Sequence, residues 1–156
     1  MLTVEIPGYR TLICRHLVLD YNGTIACDGK ILTGVKERME DLSRSLDIHV
    51  LTADSYGNAG KELQGHPCEL VVIGTGDEDR KKLDYIEHLG ASSTVCIGNG
   101  RNDCLMLKQA CLGIAVCQAE GASSQALLSA DIVCQHILSA LDLLLHPARL
   151  AATLRT

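Results

Sequence analysis

The chain has almost no aromatic residues: phenylalanine and tryptophan are absent, and aromatic side chains make up only 3% of its 156 residues. Hydrophobic residues still amount to 47%, which is typical of a globular protein. We therefore expect a single domain, residues 1–156, whose core consists of aliphatic side chains and cysteine.

Other absences exclude several classes of function. The sequence has no run of basic residues and a net charge of -5, so we expect no nucleic-acid partner. No apolar stretch approaches the ~20 residues that span a membrane, and the first eight residues do not resemble a signal peptide. We therefore expect a cytoplasmic protein that has no membrane partner.

Cysteine, in contrast, is abundant, with eight residues, but no two of them have the C-x-x-C spacing of zinc sites. Cys14, Cys96, Cys117 and Cys134 lie in or beside apolar runs. We interpret these four as reduced, buried side chains. Cys104 differs, because it follows a polar loop.

Apolar runs and helical patterns alternate along the chain. Strands are predicted at 17–19, 48–51, 70–73, 94–97, 112–116 and 132–133, and helices at 35–46, 56–63, 79–89, 103–110, 122–128 and 137–145. The alternation predicts a three-layer, Rossmann-like α/β fold with a mostly parallel central sheet. The N-terminal residues predict a hairpin, Asp28-Gly29 predicts a second one within 25–32, and Thr33 is a candidate cap for the following helix.

Polar residues follow three of the predicted strands. They read DYNGT at 20–24, TAD at 52–54 and GNGRND at 98–103. Because ligands bind beyond the carboxyl ends of parallel strands, we expect these three segments to meet at one edge of the sheet. Lys81 and Lys82 lie in the helix that leads into the third of these strands.

Together these segments resemble the four motifs of the haloacid dehalogenase (HAD) superfamily: D-x-D-G-T, a Thr or Ser after an apolar strand, a Lys, and G-D-G-x-N-D. The first two are closer still to the phosphorylation domain of P-type ATPases, where they read D-K-T-G-T and T-G-D. The resemblance extends from about residue 17 to 133. It implies a HAD fold without a cap domain, because neither 20–52 nor 52–82 leaves room for one.

The resemblance implies a role for each matched residue. Asp20 would be the nucleophile that forms an aspartyl phosphate. Thr52 would hold phosphoryl oxygens together with Gly23, Ala53 and Lys82, and Lys82 would also offset the charge that develops there. Lys81 is the alternative site lysine. Lys82 is favoured because its position on the helix agrees better with a register in which the neighbouring apolar residues face the core.

The implied cofactor is Mg²⁺. Its ligands would be Asp20, the backbone carbonyl of Asn22, Asn99, and Asp103 either directly or through water. The position of Asn99 usually holds an aspartate in the family, and an amide brings no charge to the metal. We therefore expect weak metal binding until the phosphate arrives.

Asn22 is a second departure from the family, because most HAD phosphatases have an aspartate at this position, and that aspartate transfers protons. Such help is worth ~10²–10⁴ in rate, so both chemical steps should be slow. Asp54 could partly substitute by orienting water.

Two functions remain open. The first is a magnesium-dependent phosphatase or phosphotransferase that acts on a phosphorylated small molecule or a phosphoprotein, with an open site that neighbouring copies complete in a homo-oligomer. The alternative is a binding or regulatory module that has lost turnover. A dinucleotide-binding domain is disfavoured, because no G-x-G-x-x-G follows the first central strand.

Overall fold

The computed structural model describes residues 1–53 and 57–156. Its strands are β1 (Leu2–Glu5), β2 (Thr11–Cys14), β3 (His16–Asp20), β4 (Ala26–Cys27), β5 (Lys30–Ile31), β6 (Asp47–Thr52), β7 (Glu69–Val72), β8 (Thr94–Gly98), β9 (Leu112–Val116) and β10 (Ile132–Cys134). Its helices are α1 (Val35–Leu42), α2 (Ala59–Glu62), α3 (Glu78–Leu89), α4 (Cys104–Gln109), α5 (Ser124–Ser129), α6 (Ile137–Leu145) and α7 (Pro147–Leu154).

Six of the strands form one parallel sheet in the order β10-β9-β8-β3-β6-β7. The chain proceeds outward from β3 to β7 and then returns to build β8, β9 and β10 on the other side. β3 and β8 therefore flank the point at which the winding direction reverses. Open α/β sheets bind their ligands at this point.

Helices cover both faces of this sheet. Leu17 and Leu19 of β3 belong to one apolar core, which includes residues of α1 and α6. Val18 lies between them and belongs to the other core, which includes residues of α3 and α4. The division follows from the two-residue period of a strand, which directs successive side chains to opposite faces. The predicted three-layer α/β fold is confirmed.

Both predicted hairpins are present. β1 and β2 pair antiparallel and contribute Val4 and Leu12 to the core on the α1 side. β4 and β5 also pair antiparallel. The turn between them has positive φ at Asp28 (49°) and Gly29 (76°), as a type I′ hairpin turn requires.

Three local predictions are corrected. Thr33 does not cap α1, because Gly34 occupies the cap position with φ 89° and no side-chain cap bond is present there. The helix predicted at 56–63 is observed only as the single turn of α2, and position 56 lies outside the described residues. A 3₁₀ turn, Arg101–Asp103, precedes α4 where a continuous helix from Asp103 was predicted.

Within the described residues, the connections leave the carboxyl edge of the sheet without a cap domain. Only the β4–β5 hairpin and α1 stand between β3 and β6, and only α2 and β7 between β6 and α3. No single helix among the described residues is long and apolar enough to cross a membrane. Taken together, α6 and α7 have sufficient length and apolarity, but a bend of 104° separates them.

The cysteines are all free. Cys14, Cys96 and Cys134 are buried, as predicted. Cys117 is exposed, so that prediction is wrong. The reason is that β9 ends at Val116, which leaves Cys117 in the loop beyond the sheet.

Candidate active site

Three neighbouring strands bring the predicted polar segments together. Asp20 ends β3, Thr52 ends β6 and Asn99 follows β8 directly. Because β3 pairs with both β6 and β8 in parallel, their carboxyl ends meet at one edge. They border a cleft of about 180 Å³, which is lined by Asp20, Asn22, Thr52, Ala53, Glu78, Lys82, Asn99, Gly100 and Asn102.

Lys82 enters this cleft from α3 and is fully buried. Its Nζ donates to Asp20 Oδ1 at 2.6 Å and to Asp103 Oδ1 at 2.6 Å. Lys81 points elsewhere, because its Nζ donates to the exposed carbonyl of Thr75 at 3.0 Å. The geometry therefore distinguishes the two lysines and brings Lys82 to the nucleophile candidate.

Asp103 lies behind Lys82 and is fully buried. Its Oδ2 accepts the backbone N–H groups of Asn99 (2.9 Å) and Gly100 (2.7 Å), while Oδ1 accepts from Lys82. The loop can fold this closely because Gly98 has no side chain: a Cβ there would lie 2.5 Å from Asp103 Cγ. Asp103 thus holds Lys82 and the loop, and its place at the metal, directly or through water, stays a prediction.

Burial sets the protonation of this cluster. Desolvation and the carboxylate of Asp103 raise the pKa of Asp20 to about 6, although Lys82 and Thr24 act in the opposite direction. Desolvation lowers the pKa of Lys82, but the Asp20 and Asp103 carboxylates outweigh it and raise that pKa above its ordinary value. Near neutral pH the cleft therefore presents an ionised carboxylate beside a charged ammonium group.

The loop after β3 is fixed by side chains at both ends. Thr24 Oγ1 lies 3.0 Å from Asp20 Oδ2 and 3.2 Å from Asn99 Oδ1. Gln118 holds the loop from outside, because its Nε2 donates to the carbonyls of Gly23 (3.1 Å) and Thr24 (2.7 Å). Gln118 was not predicted as a site residue, because nothing in its local sequence pattern distinguishes it from a surface residue.

Gly23, which was predicted to bind phosphate, lies in the tight turn of this loop. Its N–H donates to the carbonyl of Ala26 at 2.8 Å, and it lines a neighbouring cavity beside Gln118. Its φ is 80°, and a Cβ at Gly23 would lie 2.3 Å from Asn99 Nδ2. Gly23 therefore allows the loop to pass close to Asn99, and its contact with phosphate stays a prediction.

The oxygen atoms at the cleft suit a hard divalent cation. Asp20 Oδ2 and Asn99 Oδ1 share the single hydroxyl of Thr24, so one proton serves two acceptors. Asn22 Oδ1 is buried and has no hydrogen-bond partner among the described residues. Carboxylate and amide oxygens are ligands of the kind that Mg²⁺ takes, so the residues present fit the predicted ion.

The remaining predicted residues lie at the cleft wall next to β6. Thr52 is buried, Ala53 is half-buried, and both line the cleft. Asp54, the predicted water-orienting residue, lies outside the described residues.

Glu78 and Asn102 also line the cleft, and neither was predicted as a site residue. Asn102 Nδ2 donates to Glu78 Oε2 at 2.6 Å. Both residues also line a larger adjoining cleft of about 490 Å³, together with Gly76, Asp77, Asp79, Arg101, Cys104 and Gln125. The spacing of Glu78, four residues before Lys82, could have indicated it, because residues four apart share one face of a helix.

No protein-family model matches the chain. It is similar to two uncharacterized proteins of Methanocaldococcus jannaschii. It is 49% identical to one over 84 residues, which are 51% of this chain and 90% of the relative. It is 54% identical to the other over 39 residues, which are 25% of this chain and 89% of that relative.

Solved structures with a similar fold include phosphatases. The 3-deoxy-D-manno-octulosonate 8-phosphate phosphatase of Moraxella catarrhalis, in complex with magnesium, phosphate and its sugar, has a TM-score of 0.68 and 15% identity, covering 91% of this chain and 94% of that one. The cobalt-bound deoxy-D-mannose-octulosonate 8-phosphate phosphatase of Haemophilus influenzae has a TM-score of 0.71 and 13% identity, covering 92% and 94%. A Legionella pneumophila protein assigned to subfamily III A of the HAD superfamily has a TM-score of 0.69 and 18% identity, covering 90% and 88%.

Proposed function

We propose that this chain is a magnesium-dependent phosphatase that uses an aspartyl-phosphate intermediate. The chain belongs to one family with the two Methanocaldococcus jannaschii proteins, and it has the fold of the HAD superfamily hydrolases. The observation that carries the proposal is the 2.6 Å contact between Lys82 Nζ and Asp20 Oδ1 at the cleft. A buried lysine held against a strand-end carboxylate is an arrangement that can offset the charge of an incoming phosphate.

Four residues at the cleft then have defined tasks in the reaction. The Asp20 carboxylate attacks phosphorus, and the bond from phosphorus to the ester oxygen of the substrate breaks. Lys82 offsets the negative charge on Asp20 and on the phosphoryl oxygens, and Asp103 holds Lys82 in place. Thr52 contributes its hydroxyl to a phosphoryl oxygen. Water then hydrolyses the aspartyl phosphate and regenerates the carboxylate of Asp20.

Mg²⁺ would be held by the Asp20 carboxylate, the backbone carbonyl of Asn22 and the amide oxygen of Asn99. When bound, it would supply positive charge that reduces the repulsion between Asp20 and the phosphate. The magnesium and phosphate bound to the Moraxella catarrhalis phosphatase support this assignment.

The substrate we propose is a phosphorylated small molecule, in line with the sugar phosphates of the similar phosphatases, with a phosphoprotein as the other possibility. We further propose that copies of the chain associate, because the described residues include no cap domain that would cover the cleft. A cytoplasmic location and the absence of nucleic-acid and membrane partners stay predictions.

A second candidate function is a module that binds phosphate groups without turnover. Two observations favour it: Asn22 cannot exchange protons near neutral pH, and the Asn99 amide donates from Nδ2 to the carbonyl of Gly121 at 3.0 Å, so it is partly committed to the fold.

Release of p-nitrophenol from p-nitrophenyl phosphate, with and without Mg²⁺, tests the enzyme against the module. We expect magnesium-dependent turnover that Asp20→Asn abolishes and that Lys82→Met lowers by about 10²–10³-fold, the usual effect of losing a charge-stabilising group. Trapping the phosphorylated Asp20 by mass spectrometry would identify the intermediate.

Lys81→Met is the matched control, since it removes an adjacent lysine whose Nζ donates to the exposed carbonyl of Thr75. Its rate should stay within about twofold of the unmodified chain, because substitutions away from the core and the buried polar cluster have small effects. Turnover that survives Asp20→Asn would refute the proposal. No turnover together with binding of beryllofluoride would favour the module.

A further inference from the structure

Asn22 leaves the proposed reaction without an ionisable group at the position from which most HAD phosphatases move protons. Three side chains that line the cleft are ionisable among the described residues: Asp20, Lys82 and Glu78. Asp20 and Lys82 are bonded to each other and have roles in the attack. Glu78 is the one for which the proposed function has no role.

The position of Glu78 suits proton transfer. It begins α3 one turn before Lys82, so the two side chains leave the helix on the same face. It lines both the phosphate cleft and the larger adjoining cleft. A carboxylate at this junction borders both the place proposed for the phosphoryl group and the adjoining cleft, which water can fill.

The Glu78 carboxylate is also held in one orientation. Asn102 Nδ2 donates to its Oε2 at 2.6 Å, and Asn102 comes from the 3₁₀ turn that also carries Asp103. Fixing one carboxylate oxygen fixes the direction of the other. General bases act through such positioning, because they must lie within hydrogen-bond reach of the proton that they accept.

We infer that Glu78 is the general base for hydrolysis of the aspartyl phosphate, an inference that rests on the proposed function. A water oxygen bonds to phosphorus while Glu78 accepts one of the water protons. The bond between phosphorus and the Asp20 oxygen breaks, which releases inorganic phosphate and the Asp20 carboxylate. The proton on Glu78 then returns to solvent.

Rapid-mixing kinetics of p-nitrophenyl phosphate can isolate this step. p-Nitrophenolate leaves with little need of an acid, so the first step does not depend on Glu78. In Glu78→Gln, which keeps an acceptor for Asn102, we expect a burst of about one p-nitrophenol per site. Steady-state turnover should then be slower than in the unmodified chain by about 10²-fold or more.

Two variants serve as comparisons. Asp79→Asn changes a carboxylate that lines the larger cleft but not the phosphate cleft, and its steady-state rate should stay within about twofold. Asp54→Asn tests the residue that the sequence indicated for orienting water. A burst in Asp54→Asn and none in Glu78→Gln would assign the base to Asp54 and overturn the inference.

Beryllofluoride binding separates a chemical role of Glu78 from a structural one. We expect Glu78→Gln to bind it within a few-fold of the unmodified chain. Weakened binding with slow turnover and no burst would mean that Glu78 only shapes the cleft, which overturns the inference, as would an unchanged rate. If the unmodified chain releases no p-nitrophenol, or if Asp20→Asn still does, the proposed function itself fails.

Discussion

Asn99 shows how one amide can serve the fold and the site together. Its Nδ2 donates to the carbonyl of Gly121 at 3.0 Å, and its Oδ1 accepts from Thr24 at 3.2 Å. An aspartate could provide the second contact but not the first, because a carboxylate has no proton to donate. The amide therefore ties two loops together with a hydrogen bond that a charged aspartate could not form.

The substitution Asn99→Asp should separate these two roles. Without divalent cations we expect the free energy of unfolding to fall by about 1–3 kcal/mol, since the carbonyl of Gly121 loses its donor. The Mg²⁺ concentration for half-maximal turnover should fall about tenfold, because the added charge near the ion is worth more than the ~1.4 kcal/mol that a tenfold change needs.

Urea unfolding with a chelator and a magnesium titration of turnover measure the two effects. Asn58→Asp is the control, since it adds the same charge at an exposed position. An unchanged magnesium requirement in Asn99→Asp would argue against Asn99 as a ligand.

At the scale of elements, two helices are joined across the sheet face by one ion pair. Arg38 of α1 contacts Asp142 of α6 through Nε at 2.7 Å and Nη2 at 3.1 Å. Its Nη1 also donates to the carbonyl of Gly34 at the start of α1. The bidentate geometry makes this pair stronger than an ordinary surface contact, and it helps to hold α1 against α6.

This pair should make stability depend on pH. The hydrogen bond from Arg38 holds the pKa of Asp142 below its ordinary value, so the pair stabilises the fold above that ordinary value, ~3.9. The contribution is lost as the pH falls through the lowered pKa. At pH 7 we expect Asp142→Asn to lower the free energy of unfolding by about 1 kcal/mol, and the difference from the unmodified chain to shrink towards pH 3.

Urea unfolding at several pH values checks this, with Asp41→Asn as the control. Asp41 forms an exposed pair with Arg44 at 3.2 Å, and such pairs contribute less than about 0.5 kcal/mol. Equal losses in the two variants, or a difference at pH 7 that persists at pH 3, would contradict the argument.

The elements themselves were mostly predictable, and the exceptions have local causes. Strands such as β3 were found because buried central strands appear as short apolar runs. The cap of α1 was missed because Gly34 ends the preceding turn with a positive φ, which places the helix start one residue beyond the threonine. The turn before α4 was missed because the Asp103 carboxylate draws the loop after β8 into a 3₁₀ turn, a tertiary effect that local sequence does not contain.

For the molecule as a whole, the sequence predicted which segments meet but not which hydrogen bonds each polar group forms. The order of the strands brings positions 20, 52 and 99 to one edge, and this followed from the α/β pattern. That Asp103 lies behind Lys82, that Gly23 supports Asn99, and that Glu78 and Gln118 border the loops required coordinates. These contacts join residues 21 to 95 positions apart, or depend on which atoms are buried.

Because the site is built from the ends of β3, β6 and β8 and from Lys82 of α3, a ligand there should stabilise the whole domain. With Mg²⁺ and beryllofluoride at about 100 times the dissociation constant, we expect a gain of about 2.7 kcal/mol, or a melting temperature about 5–10 °C higher for a chain of this length. Far-UV circular dichroism and tyrosine fluorescence should report one common transition, since Tyr21 lies in the core beside the site and Tyr85 lies on α3.

Asp20→Asn should lose the shift but unfold in a single step. Two separate transitions would contradict a single domain at 1–156, and an equal shift in Asp20→Asn would mean that the ligand binds elsewhere.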